Sequence, residues 1–132
     1  MTELANTMTP REIASQAAHA MAVLTELAHP GGELSNPGDV RAIVSSLELI
    51  GHGLPQLCEQ LARFLVIQHE DGQLEATGMD TDDLVTEVIE ALAAAGQAAD
   101  MMTAALTEAR AASQILSPAR TNGWTGKSGA EL

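Results

Sequence analysis

The chain has 132 residues, of which 45% are hydrophobic and only 2% aromatic, and 18 acidic against 6 basic residues give it a formal net charge of −12. This length suits one domain, with a core rich in alanine, leucine and methionine, which favour helices. The acidity and the scatter of the few basic residues exclude a self-sufficient binder of phosphate backbones, so we expect no nucleic-acid partner.

Two further features bear on the compartment of the protein. Its single cysteine, Cys58, cannot form an internal disulfide, which suits a reducing environment. The stretch MTELANTMTPRE lacks a basic start followed by an apolar run, and no apolar stretch is long enough to span a membrane. We therefore expect a cytoplasmic protein without membrane association. High alanine with one lysine indicates a bacterial source.

The first predicted helix covers residues 9–28. Thr9 is the expected N-cap, Pro10 takes the first helical position, and Glu12 completes a capping box. The sequence HPGG at 29–32 ends the helix. One apolar stripe recurs at spacings of three and four: Ile13, Ala17, Ala20, Leu24 and Leu27.

The second predicted helix covers residues 37–69, after a loop that closes with Asn36 as N-cap. Its apolar stripe keeps a strict heptad phase across the breaker GHGLP at 51–55, which favours one helix bent where Pro55 removes the bond to the Gly51 carbonyl. Two shorter helices separated at 51–53 remain the alternative. The stripe consists of Val40, Ile43, Leu47, Ile50, Leu54, Leu57, Leu61 and Phe64.

The third predicted helix covers residues 81–116, with Asp80 as N-cap and Pro118 as the stop. Its middle is rich in alanine, and a turn centred near residue 75 would place residue 52 near residue 98. We therefore expect the GHGLP segment to lie against these small residues. The stripe consists of Val85, Val88, Leu92, Ala95, Ala99, Met102, Leu106, Ala109, Ser113 and Leu116.

These elements predict an all-α domain over residues 1–116, followed by a flexible tail over 117–132. The second and third helices would form a long antiparallel hairpin, which the shorter first helix cannot cover along its length. We expect two chains to complete a helical bundle as a homodimer. The predicted core and dimer interface comprises Leu47, Leu54, Leu57, Leu61, Leu92, Ala95, Ala99, Met102 and Leu106.

The motifs that could carry chemistry are weak. GKS at 126–128 resembles the end of a phosphate-binding loop, but Thr121 stands where that loop needs glycine. Glu26 and His29 have the Glu-x-x-His spacing of di-iron helical proteins in one copy only. We therefore expect no catalytic residues, no metal and no cofactor. A metal-dependent enzyme that uses Glu26 and His29 is the lesser alternative.

The preferred function is a non-enzymatic interaction module, acting as an adaptor, regulator or assembly subunit. Its helical dimer would present an acidic face to a protein partner, and Trp124 in the tail would anchor that partner. The main alternative is a helical bundle that binds a small ligand beside the Gly51–Pro55 bend. The residues expected at that pocket are His52, Leu54, Cys58, Ala95 and Met102.

Overall fold

The computed structural model describes residues 7–119, which form three α-helices and no strand. These are α1 (Pro10–Leu27), α2 (Pro37–Glu70) and α3 (Thr81–Ser113). The predicted all-α class is confirmed, as is the long helical hairpin preceded by a shorter helix. Residues 120–132, with the predicted anchor Trp124, lie outside the described residues.

The start of α1 follows the capping chemistry that the sequence predicts. The Glu12 amide donates to Thr9 Oγ1 at 3.1 Å, and the Thr9 amide donates to Glu12 Oε1 at 3.0 Å. Pro10 takes the first helical position, where no intrahelical donor is needed. After Leu27 the chain turns through Gly31, whose φ of 84° lies in the left-handed region that favours glycine.

The second helix, α2, is continuous through Gly51, Gly53 and Pro55. The prediction of one long helix is therefore confirmed over that of two separate helices. Asn36 caps the start, with its side-chain oxygen accepting from the Gly38 amide at 2.8 Å. With 34 residues, α2 is about 51 Å long.

The third helix, α3, begins after Asp80, whose carboxylate accepts from the Asp82 amide at 2.8 Å. Its end at Ser113 comes three residues before the predicted end. There the Ser113 hydroxyl donates to the Arg110 carbonyl at 2.9 Å, and Arg41 donates to the Ser113 carbonyl at 3.2 Å. Both carbonyls also accept a backbone amide, from Gln114 and Leu116 respectively, so these two groups at the end of α3 are fully hydrogen-bonded.

Cross-helix contacts fix the antiparallel register of α2 and α3. His69 meets Asp82 near the turn, Pro55 lies against Gly96, and Arg41 bonds Ser113 at the open end. The expected contact between GHGLP and the alanine-rich middle of α3 is therefore present. The observed register agrees to within about one helical turn with the predicted register, in which the turn is centred near residue 75.

The contact between α2 and α3, which we call the seam, has small and polar residues at its most buried positions. On α2, each seam residue follows a residue of the predicted α2 stripe by one position. On α3, the seam shares only every seventh residue with the predicted α3 stripe. The most buried seam positions are Glu48 and Gly51 on α2 and Gly96, Ala99, Thr103 and Ser113 on α3.

Two glycines of α2 differ in the space that surrounds them. A Cβ at Gly51 would overlap the Thr103 hydroxyl and lie 3.1 Å from Met102 Cε, whereas a Cβ at Gly53 would meet nothing within 4 Å. The Thr103 hydroxyl is itself held by the Ala99 carbonyl at 2.8 Å. Gly51 therefore lets the two helices approach closely, and Gly53 has no such role.

The first helix stands apart from the hairpin. No Cα atom of α1 lies within 8 Å of a Cα atom of α2 or α3 in the described chain. None of its 18 residues is buried, and Ile13, Met21 and Leu27 are each at least 40% exposed. Because burial of apolar area is the main stabilising term, the hairpin supplies most of the stability of this arrangement.

The two glycines give a direct test of the seam. We expect Gly51→Ala to destabilise the protein by about 1 kcal/mol, because overpacking outweighs the gain in helix propensity. We expect Gly53→Ala to stabilise it by up to about 1 kcal/mol, because only the propensity gain applies. Urea denaturation followed by circular dichroism measures both values. Equal effects of the two substitutions would contradict the close contact at Gly51.

Candidate functional site

Large apolar side chains cover one side of the hairpin, which we call the apolar face. Exposure reaches 48% for Leu57, 48% for Leu61 and 59% for Phe64, although all three sit mid-helix. On α3 the same side carries Met102 and, one and two heptads earlier, Ala95 and Val88. The apolar face comprises Leu47, Ile50, Leu54, Leu57, Leu61 and Phe64 of α2 and Val88, Ala95 and Met102 of α3.

An apolar cleft separates α1 from the first half of this face. Its volume is about 630 Å³, and its α1 wall includes Ala17, Met21 and Leu24. On the hairpin side Leu54 and Met102 lie among the lining residues, which are all apolar. The cleft ends before Leu57, so the second half of the apolar face has no cover within the described chain.

A polar network lies in the seam near its open end. Arg110 Nε bonds Glu48 Oε1, and the Thr107 hydroxyl donates to Glu48 Oε2 at 2.7 Å. The side chain of Glu48 is only 11% exposed, and that of Arg110 is 32% exposed. A carboxylate this enclosed requires such partners, because an unpaired buried charge is strongly destabilising.

Hydrogen bonds set the ionisation of Glu48. The bond from Arg110, followed by that from Thr107, lowers the pKa of Glu48 below the ordinary value, and outweighs burial, which acts in the opposite direction. The same pair raises the pKa of Arg110. Glu48 is therefore ionised at neutral pH with both oxygens engaged, so it fits a structural anchor better than a proton acceptor.

The residues predicted for a ligand pocket lie on different sides of the hairpin. Leu54 and Met102 line the cleft on the apolar face, whereas Cys58 lines a separate groove on the opposite side. His52 lies near Glu48 and Arg110, away from both. Among the predicted core residues, Leu92 and Ala99 lie in the seam, and Leu106 lies at its edge and lines the cleft. The others lie on the apolar face: Leu47, Leu54, Leu57, Leu61, Ala95 and Met102.

The acidic and histidine side chains remain dispersed. His29 Nδ1 lies 2.8 Å from the Pro30 carbonyl, at the end of α1. His69 pairs with Asp82 beside the hairpin turn. Over residues 7–119, no three His, Cys, Asp or Glu side chains come together in a way that could hold a metal ion. The Glu26–His29 spacing thus gains no further ligand in this part of the chain.

The Glu48–Arg110 pair was not among the contacts predicted from the sequence. A signal existed, because Glu48, Gly51, Pro55 and Cys58 repeat at the three-four spacing of a packed helix face. A corresponding run of small residues on α3 includes Gly96, Ala99 and Thr103. Two such stripes indicate helices in close contact, and the antiparallel register then brings Glu48 to Arg110.

Comparison with known proteins identifies no relative: no protein-family model, curated protein or solved structure matches the chain. Within residues 7–119, none of the helices combines the length and the apolar character needed to cross a membrane.

The ionisation of Glu48 predicts a pH effect on stability. Its pKa is lower in the folded than in the unfolded chain, so the unfolded chain binds more protons near pH 4 and the contribution of Glu48 is complete above about pH 4.3. It is lost as the pH falls through the folded-state value. Asp39, whose pKa is lowered by the Ser35 amide and hydroxyl, acts in the same direction.

Comparison with Glu48→Gln isolates this contribution. We expect the stability difference between wild type and Glu48→Gln to shrink on acidification from about pH 5 to pH 3. Glu59→Gln is the control, because within residues 7–119 Glu59 forms only an exposed pair with Arg63. Urea denaturation at each pH measures the difference, and a gap that is independent of pH would contradict the role of the carboxylate.

Proposed function

We propose that the protein is a non-enzymatic interaction module, an adaptor, regulator or assembly subunit, that acts as a helical homodimer. The observation that supports this is the apolar face, where large side chains are about half exposed in a single chain. Contiguous apolar surface of this kind is typical of protein–protein interfaces. The most buried positions of the seam carry small and polar residues instead, so the hairpin alone leaves the large side chains of the apolar face about half exposed.

The size of the apolar face suits a small interface. From Leu47 to Phe64 α2 runs for about 26 Å, and two helices side by side are about 20 Å wide. The product is about 500 Å² on each chain, or about 1,000 Å² for a pair, which is about the lower limit for a specific complex. In addition, the positions of α2 on this face carry no charged residue between Val40 and Phe64. Depletion of charge is characteristic of interface cores.

Pairing two hairpins through this face would give a four-helix arrangement. Each chain would place the α2 stripe of large residues against the smaller α3 residues of its partner, with a two-fold axis relating the two. Large against small side chains allows such layers to interdigitate. The acidic side chains of the opposite side would then face solvent in both chains and remain available to a further protein.

The dimer is tested by one pair of leucines on α2. We expect Leu61→Glu to convert a dimer into a folded monomer, because Leu61 is 48% exposed in one chain but would be buried between two. Leu49→Glu is the matched control, since Leu49 is 74% exposed outside the apolar face and its substitution should leave the dimer intact. Light scattering coupled to size-exclusion chromatography gives the masses. A monomeric wild-type protein would overturn the dimer.

A second candidate function is the binding of a small apolar ligand, favoured by the cleft between α1 and the hairpin. Its volume of about 630 Å³ lies within the usual range of ligand sites, and its lining is apolar. We note that the ligand would need little polar character, because the lining offers no polar side chain.

The cleft is tested with the neutral dye N-phenyl-1-naphthylamine. If the cleft binds apolar ligands, saturating dye should raise the melting temperature. A free dye concentration of one hundred times Kd should raise the free energy of unfolding by about 2.7 kcal/mol. Ala20→Trp would fill the cleft and abolish this gain, whereas Ala104→Trp on the exposed side of α3 would preserve it. Absence of a shift in the wild-type protein would exclude this ligand class.

A further inference from the structure

A second groove lies on the side of the hairpin opposite the apolar face. It has a volume of about 380 Å³, with a floor of small residues that includes Pro55, Ala62, Ala93 and Gly96. The groove exists because these residues face each other across the seam, with Pro55 Cα only 3.5 Å from the position of a Cβ on Gly96. It does not involve α1 or the cleft.

Carboxylates lie at the edges of this groove. Asp100 borders it on α3 and Glu59 on α2. Within residues 7–119 the Asp100 side chain makes no ion pair or hydrogen bond, whereas Glu59 bonds Arg63 at 3.1 Å in an exposed pair. Exposed pairs of this kind are weak, so Glu59 can exchange partners. The net charge of −12 adds to the negative potential.

The register of the hairpin sets the spacing of these two charges. Pro55 faces Gly96, so Asp100 lies level with residue 51 of α2, eight residues from Glu59. At 1.5 Å per residue the two carboxylates are about 12 Å apart along the hairpin axis, on opposite walls. Two turns of helix cover about this distance along the axis, and the long side chains of basic residues one heptad apart would extend across the groove to either wall.

We infer that this groove binds a helical segment of a partner protein that carries apolar residues between two arginines or lysines one heptad apart. The apolar residues would fill the small-residue floor, and the basic groups would pair with Asp100 and Glu59. Helix-in-groove recognition combines such anchors with flanking charges. The aliphatic stems of the basic residues would add apolar contact. This inference rests on the proposed function, because it assigns the chemistry of the partner.

The inference is tested on the full chain with a synthetic helical peptide of 15 residues that carries two arginines one heptad apart and leucines between them. Fluorescence anisotropy should show saturable binding with a Kd below about 100 μM. Raising the salt from about 50 to 500 mM should weaken this binding several-fold. A peptide with glutamates in place of the arginines should not bind. Equal binding of the two peptides, or no binding of either, would overturn the inference.

Substitutions locate the binding site. Ala93→Phe fills the groove at an exposed position and should abolish binding, while circular dichroism shows whether the fold is kept. Asp100→Asn should weaken binding about two- to fivefold. Glu108→Gln removes the same charge elsewhere on α3 and should leave the affinity unchanged. Unaltered binding by a folded Ala93→Phe variant would contradict the groove.

The groove and the dimer can fail separately. Leu61→Glu acts on the apolar face, so the arginine peptide should bind that variant with unchanged affinity. A wild-type protein that is monomeric but binds the peptide would retain the groove and remove the dimer. A dimer that does not bind the peptide would retain the dimer and remove the groove.

Discussion

The close approach of α2 and α3 at Gly51 and Gly96 determines which side chains the hairpin buries. A Cβ at Gly51 would overlap the Thr103 hydroxyl, whereas a Cβ at Gly96 would lie in ordinary van der Waals contact with Pro55, 3.5 Å away. Because small and polar residues occupy the most buried positions of the seam, the large aliphatic residues that precede them by one position on α2 lie beside the seam and not within it. The apolar face and the groove on the other side are both consequences of this packing.

The sequence was sufficient for the elements and their order, because capping residues and heptad phase are local signals. Thr9, Asn36 and Asp80 cap the helices as expected, and the phase across GHGLP correctly indicates a continuous α2. The face by which α2 meets α3 was harder to predict. Hydrophobicity ranks Leu57 and Leu61 above Gly51 and Cys58, whereas helix packing also depends on how closely the two backbones can approach.

The Glu48–Arg110 pair illustrates a second limit of sequence analysis. Local spacing indicates His52, one helical turn away, as a partner of Glu48. The residue that bonds the Glu48 carboxylate is instead Arg110, which lies 62 residues along the chain. Only the register of the hairpin reveals that pairing. This partly buried pair also disfavours sliding of one helix along the other, because a shifted register would leave the enclosed Glu48 carboxylate unpaired. The polar network thereby supports a single alignment of both sides of the hairpin.

The order of the seam partners along the chain has a consequence for folding. The bond between His69 and Asp82 closes 13 residues, whereas that between Arg41 and Ser113 closes 72. Closure of short loops requires less entropy, so the hairpin is expected to assemble from its turn toward its open end. During synthesis every seam partner of α2 leaves the ribosome after α2 itself. Until α3 emerges, α2 exposes both its seam residues and its apolar stripe, which makes it the segment of the nascent chain most in need of protection.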